Sequence, residues 1–74
     1  MIELVFDEAK IRSDIRFYIK VFKHREDGQK FYTYELKIIE AEDKWASEKK
    51  TNFSSLIDVF LTLYQRIFEW TRKK

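Results

Sequence analysis

Ile15-Arg-Phe-Tyr-Ile-Lys-Val-Phe-Lys-His24 and Phe31-Tyr-Thr-Tyr-Glu-Leu-Lys-Ile38, with Asp27-Gly28 between them, decide the fold of this chain. Both runs alternate apolar and polar residues with a period of two, which is typical of strands with one buried face. Asp-Gly between two such runs is among the strongest signals for a two-residue hairpin turn. We therefore predict an antiparallel β-hairpin with arms over residues 15–24 and 30–39.

The turn also predicts the register of the hairpin. If Asp27 and Gly28 form a type I′ loop, paired residues have numbers that sum to 55. The core pairs are then Val21 with Tyr34, Ile19 with Leu36, and Phe17 with Ile38. The opposite face pairs Lys20 with Glu35, Phe22 with Thr33, Tyr18 with Lys37, and His24 with Phe31. A slip of one residue would move this second set into the core, so the register is strongly specified.

Length and composition indicate one small domain over residues 1–74. Chains this short bury only about 60% of their unfolded surface. The sequence has no Cys, which rules out disulfides and thiolate metal sites, but 18% of its residues are aromatic. We expect aromatic packing or oligomerisation to supply the stability.

Charge is abundant but nearly balanced, with 15 basic and 13 acidic residues and a formal net charge of +2. That balance is too even for a protein that coats nucleic acid by bulk electrostatics, and it also argues against an acidic DNA mimic. Apolar runs are only a few residues long, so we expect no membrane span, no signal peptide and a cytoplasmic location.

The first residues alternate and predict a short strand over residues 2–6. We expect residues 7–10 to turn the chain back onto residues 11–14, and the alternative is a helical turn or two over residues 2–10. The strand prediction pairs Ile2 with Ile15 and Leu4 with Ser13, and it places Ile2, Leu4 and Phe6 on the core face.

Residues 40–51 are polar and lack a clear period. They predict a loop, with a short helical turn or a bulged strand around Trp45. We expect Trp45 to be a hydrophobic plug that anchors the loop, and the alternative role is a stacking platform.

From Asn52 the apolar period changes to 3.6, which predicts a C-terminal helix over about residues 53–72. Asn52 or Ser54 is the expected N-cap, and Asp58 suits the positive end of the helix dipole. Basic residues suit the other end: Arg72, Lys73 and Lys74. The fold class is therefore α+β, a two- or three-stranded meander packed on one helix.

This helix is apolar over an arc of roughly 200°, about twice the stripe of an ordinary surface helix. The residues that widen the arc are Val59, Leu61, Phe68 and Trp70. A small sheet covers only one side of such a helix, so we expect these four residues to form a protein interface, with a homodimer as the simplest case. The alternative is that the first strand and the Trp45 loop wrap the helix within one subunit.

Signatures of catalysis are missing, and we predict no catalytic site, metal site, cofactor or small-molecule substrate. One histidine, His24, cannot hold a metal alone, and one glycine, Gly28, cannot build a phosphate loop. Ser54 and Ser55 are better interpreted as helix-capping residues than as nucleophiles.

The polar face of the hairpin interleaves bases with aromatics: Arg16, Tyr18, Lys20, Phe22 and Lys37. Single-stranded nucleic acid is typically held by bases stacked on aromatic rings, with Lys and Arg along the backbone. The sequence therefore favours a non-catalytic module that binds single-stranded DNA or RNA, with Arg12 as a further phosphate contact. The same composition also suits an ordinary half-exposed strand, and Glu35 would repel phosphate unless Lys20 neutralises it. The alternative function is a protein-interaction module, such as a small inhibitor, regulator or subunit of a complex, that uses the helix.

The predicted order of elements, a hairpin or short meander followed by one long helix, resembles that of chromo-like domains and of Pur-like single-strand binders. The chromo-type pattern of Trp followed by Glu and Pro is absent, because Trp45 precedes Ala46 and Ser47 and the chain has no Pro. The resemblance is one of element order and assigns no site residue.

Overall fold

The computed structural model describes residues 1–12 and 14–72. Four strands precede one helix: β1 (Ile2–Arg12), β2 (Ile15–Glu26), β3 (Gln29–Ala41), β4 (Lys44–Phe53) and α1 (Leu56–Arg72). The strands form one antiparallel sheet in the order β1-β2-β3-β4. The predicted α+β class is confirmed, with four strands in place of the expected two or three.

The β2–β3 hairpin has the predicted register. Its pairs include Val21 with Tyr34, Ile19 with Leu36 and Lys20 with Glu35. Asp27 and Gly28 have φ values of 50° and 76°, and a type I′ turn requires a positive φ at both central positions. Asp tolerates this left-handed region and Gly enters it at no steric cost, so the sequence of the turn fixes the pairing on both arms.

The predicted strand over residues 2–6 is confirmed as the first part of β1, but the turn expected over residues 7–10 and the expected register are wrong. β1 continues along β2 to Arg12, with Ile2 opposite His24 and Leu4 opposite Phe22. Ile2 therefore does not pair with Ile15, and residues 2–10 are not helical. Ser13, the expected partner of Leu4, lies outside the described residues. A strand of this length satisfies more backbone hydrogen bonds along the free edge of β2 than a five-residue strand could.

A β-bulge between Leu4 and Phe6 shifts the register of β1, so the alternation of its side chains between the two faces of the sheet changes at this point. Phe6 lies opposite the core residue Val21, but Ile2 and Leu4 face the other side and are exposed. Their predicted place on the core face is therefore wrong. Phe6 meets the helix, with its ring edge-on to Phe60 at 5.1 Å between centroids.

Residues 44–53 form β4, where a loop was expected over residues 40–51. β4 is an edge strand, and the lysines that obscured its alternation are typical of edges that avoid pairing with other chains. Its one carboxylate on the core side, Glu48, is accommodated because Tyr34 and Arg66 both donate hydrogen bonds to it.

α1 begins at Leu56, three residues later than predicted, because Phe53 still belongs to β4. The N-cap is Ser55 instead of Asn52 or Ser54: the Asp58 amide donates to Ser55 Oγ at 3.3 Å. Asp58 and Arg72 occupy the first and last turns as predicted. Lys73 and Lys74 lie outside the described residues.

The core lies between α1 and one face of the sheet, here called the core face. It combines four residues of β2, four of β3 and two of α1: Ile15, Phe17, Ile19, Val21, Tyr32, Tyr34, Leu36, Ile38, Val59 and Leu63. α1 packs mainly over β3 and β4, so it covers less of the core face on the side of β1. Within the described residues, no helix is both long and apolar enough to cross a membrane.

Candidate nucleic-acid interface

The sheet face turned away from α1, here called the outer face, collects side chains from all four strands. Strand pairing arranges them in three cross-strand rows: Ile11-Arg16-Ile39-Trp45, Ala9-Tyr18-Lys37-Ser47 and Asp7-Lys20-Glu35-Lys49. Because directly opposed residues share a face, these rows form one continuous surface. All five residues predicted to bind nucleic acid belong to the outer face.

Four of the five predicted residues are open to solvent: Arg16, Tyr18, Lys20 and Lys37. Tyr18 exposes 39% of its surface, enough to present one side of its ring. Phe22 is only half-exposed, because it lies between Leu4 on β1 and Thr33 on β3. It therefore contributes less open ring surface than the sequence suggested. Arg12, the expected further phosphate contact, lies opposite the core residue Ile15 and so belongs to the core face.

Trp45 is the main residue of this face that sequence reasoning misplaced. It exposes 56% of its surface on the outer face, opposite Ile39, so its expected role as a plug in the core is wrong. The Lys37 ammonium lies 5.4 Å from the centre of its ring, a cation–π contact. The weak alternation of Trp45, Ser47 and Lys49 was the available signal, and the charged Glu48 on the opposite face obscured it.

Charges on this face are arranged so that both carboxylates have basic neighbours. Lys20 lies between Asp7 and Glu35, and Lys49 lies on the other side of Glu35, so signs alternate along the row. Lys20 therefore offsets carboxylates more than it attracts phosphate. Arg16 and Lys37 have no acidic residue in their own rows and give this end of the face its positive character.

A shallow depression of about 610 Å³ lies among these residues on the outer face. Its side-chain walls include Tyr18, Lys20, Lys37 and Lys49. Glu35 also lines the depression, between Lys20 and Lys49, so the charge that can meet an anionic ligand comes mainly from Lys37 beside the Tyr18 ring.

At the turn end of the outer face, side chains of β2, β3 and β4 contact one another. The rings of His24 and Phe31 are stacked, with centroids 4.6 Å apart. Thr33 is buried, and its hydroxyl shares a 2.7 Å hydrogen bond with that of Thr51. Ile2 and Leu4 stay exposed on β1 at this end but offer only aliphatic surface, so the exposed aromatic rings of the face, Tyr18 and Trp45, lie toward its other end.

On the core side, a polar network ties β4 to the helix and keeps the sheet in place. The Tyr34 hydroxyl and the Arg66 guanidinium each donate to Glu48 Oε1 at 3.0 Å, and Arg66 also pairs with Glu69 at 2.9 Å. Burial, then the hydrogen bond to Glu48, raises the pKa of Tyr34 above its usual range. The hydrogen bond to Glu48 likewise raises the pKa of Arg66, so the guanidinium stays charged.

The four helix residues predicted to form a protein interface are divided by the structure. Val59 is fully buried in the core and Trp70 is half-buried against it, so neither is free to meet a partner, because the helix turns both toward the sheet. Leu61 and Phe68 each expose more than half of their surface. Ile57 and Tyr64 are exposed beside them.

No family model, curated protein or solved structure matches this chain.

Proposed function

We propose that this protein is a non-catalytic module that binds single-stranded nucleic acid on the outer face of its sheet. The observation that carries the proposal is that Tyr18 and Trp45 are exposed on the same face, with Lys37 on the strand between them and Arg16 next to Tyr18 in the row of Trp45. Aromatic platforms interleaved with cations are the usual means of holding a single strand without reading its sequence.

The two rings are spaced for separate bases. Tyr18 and Trp45 lie two strands apart and two residues out of register, which separates their Cα atoms by about 12 Å. One base can stack on each ring while the linking phosphates pass Arg16 and Lys37. Lys37 already covers one side of the Trp45 ring, so a base takes the other side or displaces the ammonium.

A fluorescence-anisotropy titration with labelled single-stranded DNA and RNA oligonucleotides tests the proposal. Because each stacked base contributes about 1–3 kcal/mol, Tyr18→Ala and Trp45→Ala should each weaken binding roughly 5- to 150-fold. Tyr18→Phe keeps the ring and is the matched control, with binding close to that of the natural chain. Saturable binding that is unchanged by both alanine variants would contradict the proposal, as would the absence of binding at low salt.

Salt dependence separates phosphate contacts from stacking. For a single strand, the logarithm of the affinity falls with the logarithm of the salt concentration with a slope of about −0.7 per neutralised phosphate. Arg16→Ala should weaken binding and make this slope shallower by about that amount. Lys30→Ala, which removes a charge beside the turn, should leave the slope unchanged.

The second candidate function is a protein-interaction module that uses α1. The observation in its favour is the row of exposed apolar residues on the helix: Ile57, Leu61, Tyr64 and Phe68. Paired substitutions separate the two functions. Leu61→Glu with Phe68→Glu should abolish an activity that depends on the helix, whereas Tyr18→Ala with Trp45→Ala should abolish one that depends on the outer face.

A further inference from the structure

α1 carries a row of large apolar side chains that the sheet does not cover: Ile57, Leu61, Tyr64 and Phe68, here called the exposed stripe. Each exposes more than half of its surface. At 100° per residue, the four lie within about 60° of one another around the helix axis. The exposed stripe is therefore a single straight surface, separate from the side of α1 that buries Val59 and Leu63.

The exposed stripe is continuous with an apolar groove between α1 and β1. The groove has a volume of about 830 Å³, and its apolar walls include Phe6, Phe60 and Ile67. Tyr64 and Phe68 line the groove and also belong to the exposed stripe. Glu8 and Lys10 at the rim pair with each other at 3.8 Å, and Arg12 adds one positive charge at the end of the groove.

We propose that a second copy of the chain covers this surface, as an antiparallel helix pair with two-fold symmetry. The exposed stripe has spacings of four, three and four residues, which are the same in both chain directions. A two-fold axis midway between Leu61 and Tyr64 therefore places Leu61 against Tyr64 of the partner subunit. The same axis places Ile57 against Phe68 of the partner subunit, so each contact joins an aliphatic side chain to an aromatic ring. An isologous interface requires such a self-complementary patch.

The area available suits a dimer. Each residue of the exposed stripe offers on the order of 100 Å², so the stripe alone offers roughly 400 Å² of apolar surface, typical of an interaction site. The groove walls extend it toward the ~800 Å² per partner of a standard interface. The exposed stripe contains no charged residue, so two copies meet without repulsion, and a strongly charged partner would find no complement there.

Sedimentation equilibrium of the full chain tests the association, and it does not depend on whether the outer face binds nucleic acid. We expect a concentration-dependent species of twice the 9.2 kDa chain mass. Leu61→Glu should weaken this association at least tenfold, because it brings two carboxylates together beside the axis. Its circular dichroism should match that of the natural chain, since Leu61 is exposed.

Cysteine cross-linking tests the geometry, and the natural chain has no Cys to interfere. In the antiparallel pair, the two copies of residue 61 are offset by about 4.5 Å along the helix axis and those of residue 57 by about 16 Å. Disulfides need Cα atoms within about 7 Å. Leu61→Cys should therefore oxidise readily to a covalent dimer, and Ile57→Cys, the matched control on the same stripe, should not.

Two results would overturn the proposal. One is a chain that stays monomeric at millimolar concentration, which would assign the groove to a different protein or to a small apolar ligand. The other is Ile57→Cys cross-linking as fast as Leu61→Cys, which would mean a parallel or non-specific contact.

Discussion

Tyr34 shows how one side chain serves both the core and the polar network. Its ring is fully buried, packed beside Phe53 with centroids 5.7 Å apart, while its hydroxyl reaches Glu48. A buried hydroxyl without a partner would be destabilising, so the Glu48 carboxylate is what makes a tyrosine suitable at this position. Arg66 then balances the charge of that carboxylate.

The raised pKa of Tyr34 predicts a loss of stability at alkaline pH. The unfolded chain ionises this phenol near pH 10, whereas the folded chain holds it neutral to higher pH. The stabilisation is therefore complete below about pH 10 and is lost as the pH rises toward the folded pKa. Urea unfolding at about pH 8 and about pH 11 should show a larger decrease for the natural chain than for Tyr34→Phe. Equal decreases would contradict this assignment.

The hairpin turn allows a second test at a single residue. A Cβ added at Gly28 would meet nothing within 4 Å, so the cost of Gly28→Ala comes only from its positive φ of 76°. We expect a loss of about 1–2 kcal/mol in the free energy of unfolding. Asp27→Asn, which also tolerates the left-handed region, should change it little. A loss from Asp27→Asn as large as that from Gly28→Ala would contradict the type I′ assignment.

At the scale of elements, the sequence predicts the β2–β3 hairpin, whose turn and alternation are local signals, better than it predicts the edge strands. Asp27-Gly28 and the two alternating arms determine the hairpin and every pair in it, because turn and pattern agree. β1 and β4 could not be predicted in the same way, because an edge strand takes its register from its neighbour. The bulge at Leu4–Phe6 and the partial burial of Glu48 depend on contacts with β2 and α1 that no local pattern reveals.

The register of β1 can be tested at two of its apolar residues, Phe6 and Leu4. Phe6 packs on Phe60, so we expect Phe6→Ala to cost about 2 kcal/mol, below the 3–5 kcal/mol of a fully buried Phe. Leu4 lies on the outer face and is half-exposed, so Leu4→Ala should cost less than about 1 kcal/mol. Chemical denaturation of both variants decides the matter. Similar losses would mean that Leu4 also faces the core.

For the candidate site, the sequence placed Arg16, Tyr18, Lys20 and Lys37 on one exposed face because the hairpin register was readable. It misplaced Trp45, since only the pairing of β4 with β3 brings that ring beside Lys37. The wide apolar arc of the helix predicted that part of its apolar surface would stay uncovered by the sheet. The members of the exposed stripe depend on how α1 is rotated on the sheet, which buries Val59 and exposes Ile57.

At the scale of the whole molecule, two opposite surfaces remain open: the outer face of the sheet and the exposed stripe with its groove. An antiparallel helix pair would bury the second surface and leave both outer faces accessible, one on each subunit. A single-stranded nucleic acid long enough to reach both outer faces would then bind the second face with a higher effective concentration. The two proposals are compatible, and each can fail without the other.

The central claim is that Trp45 stacks on a base, and tryptophan fluorescence tests it most directly, because the chain has two Trp in different settings. In Trp70→Phe only the exposed Trp45 emits, and in Trp45→Phe only Trp70, which packs against the core. Single-stranded oligonucleotide added to Trp70→Phe should quench the emission saturably, with the same dissociation constant as the anisotropy titration. The same titration of Trp45→Phe should leave the emission of Trp70 unchanged. No quenching in Trp70→Phe, or quenching only in Trp45→Phe, would contradict a nucleic-acid interface on the outer face.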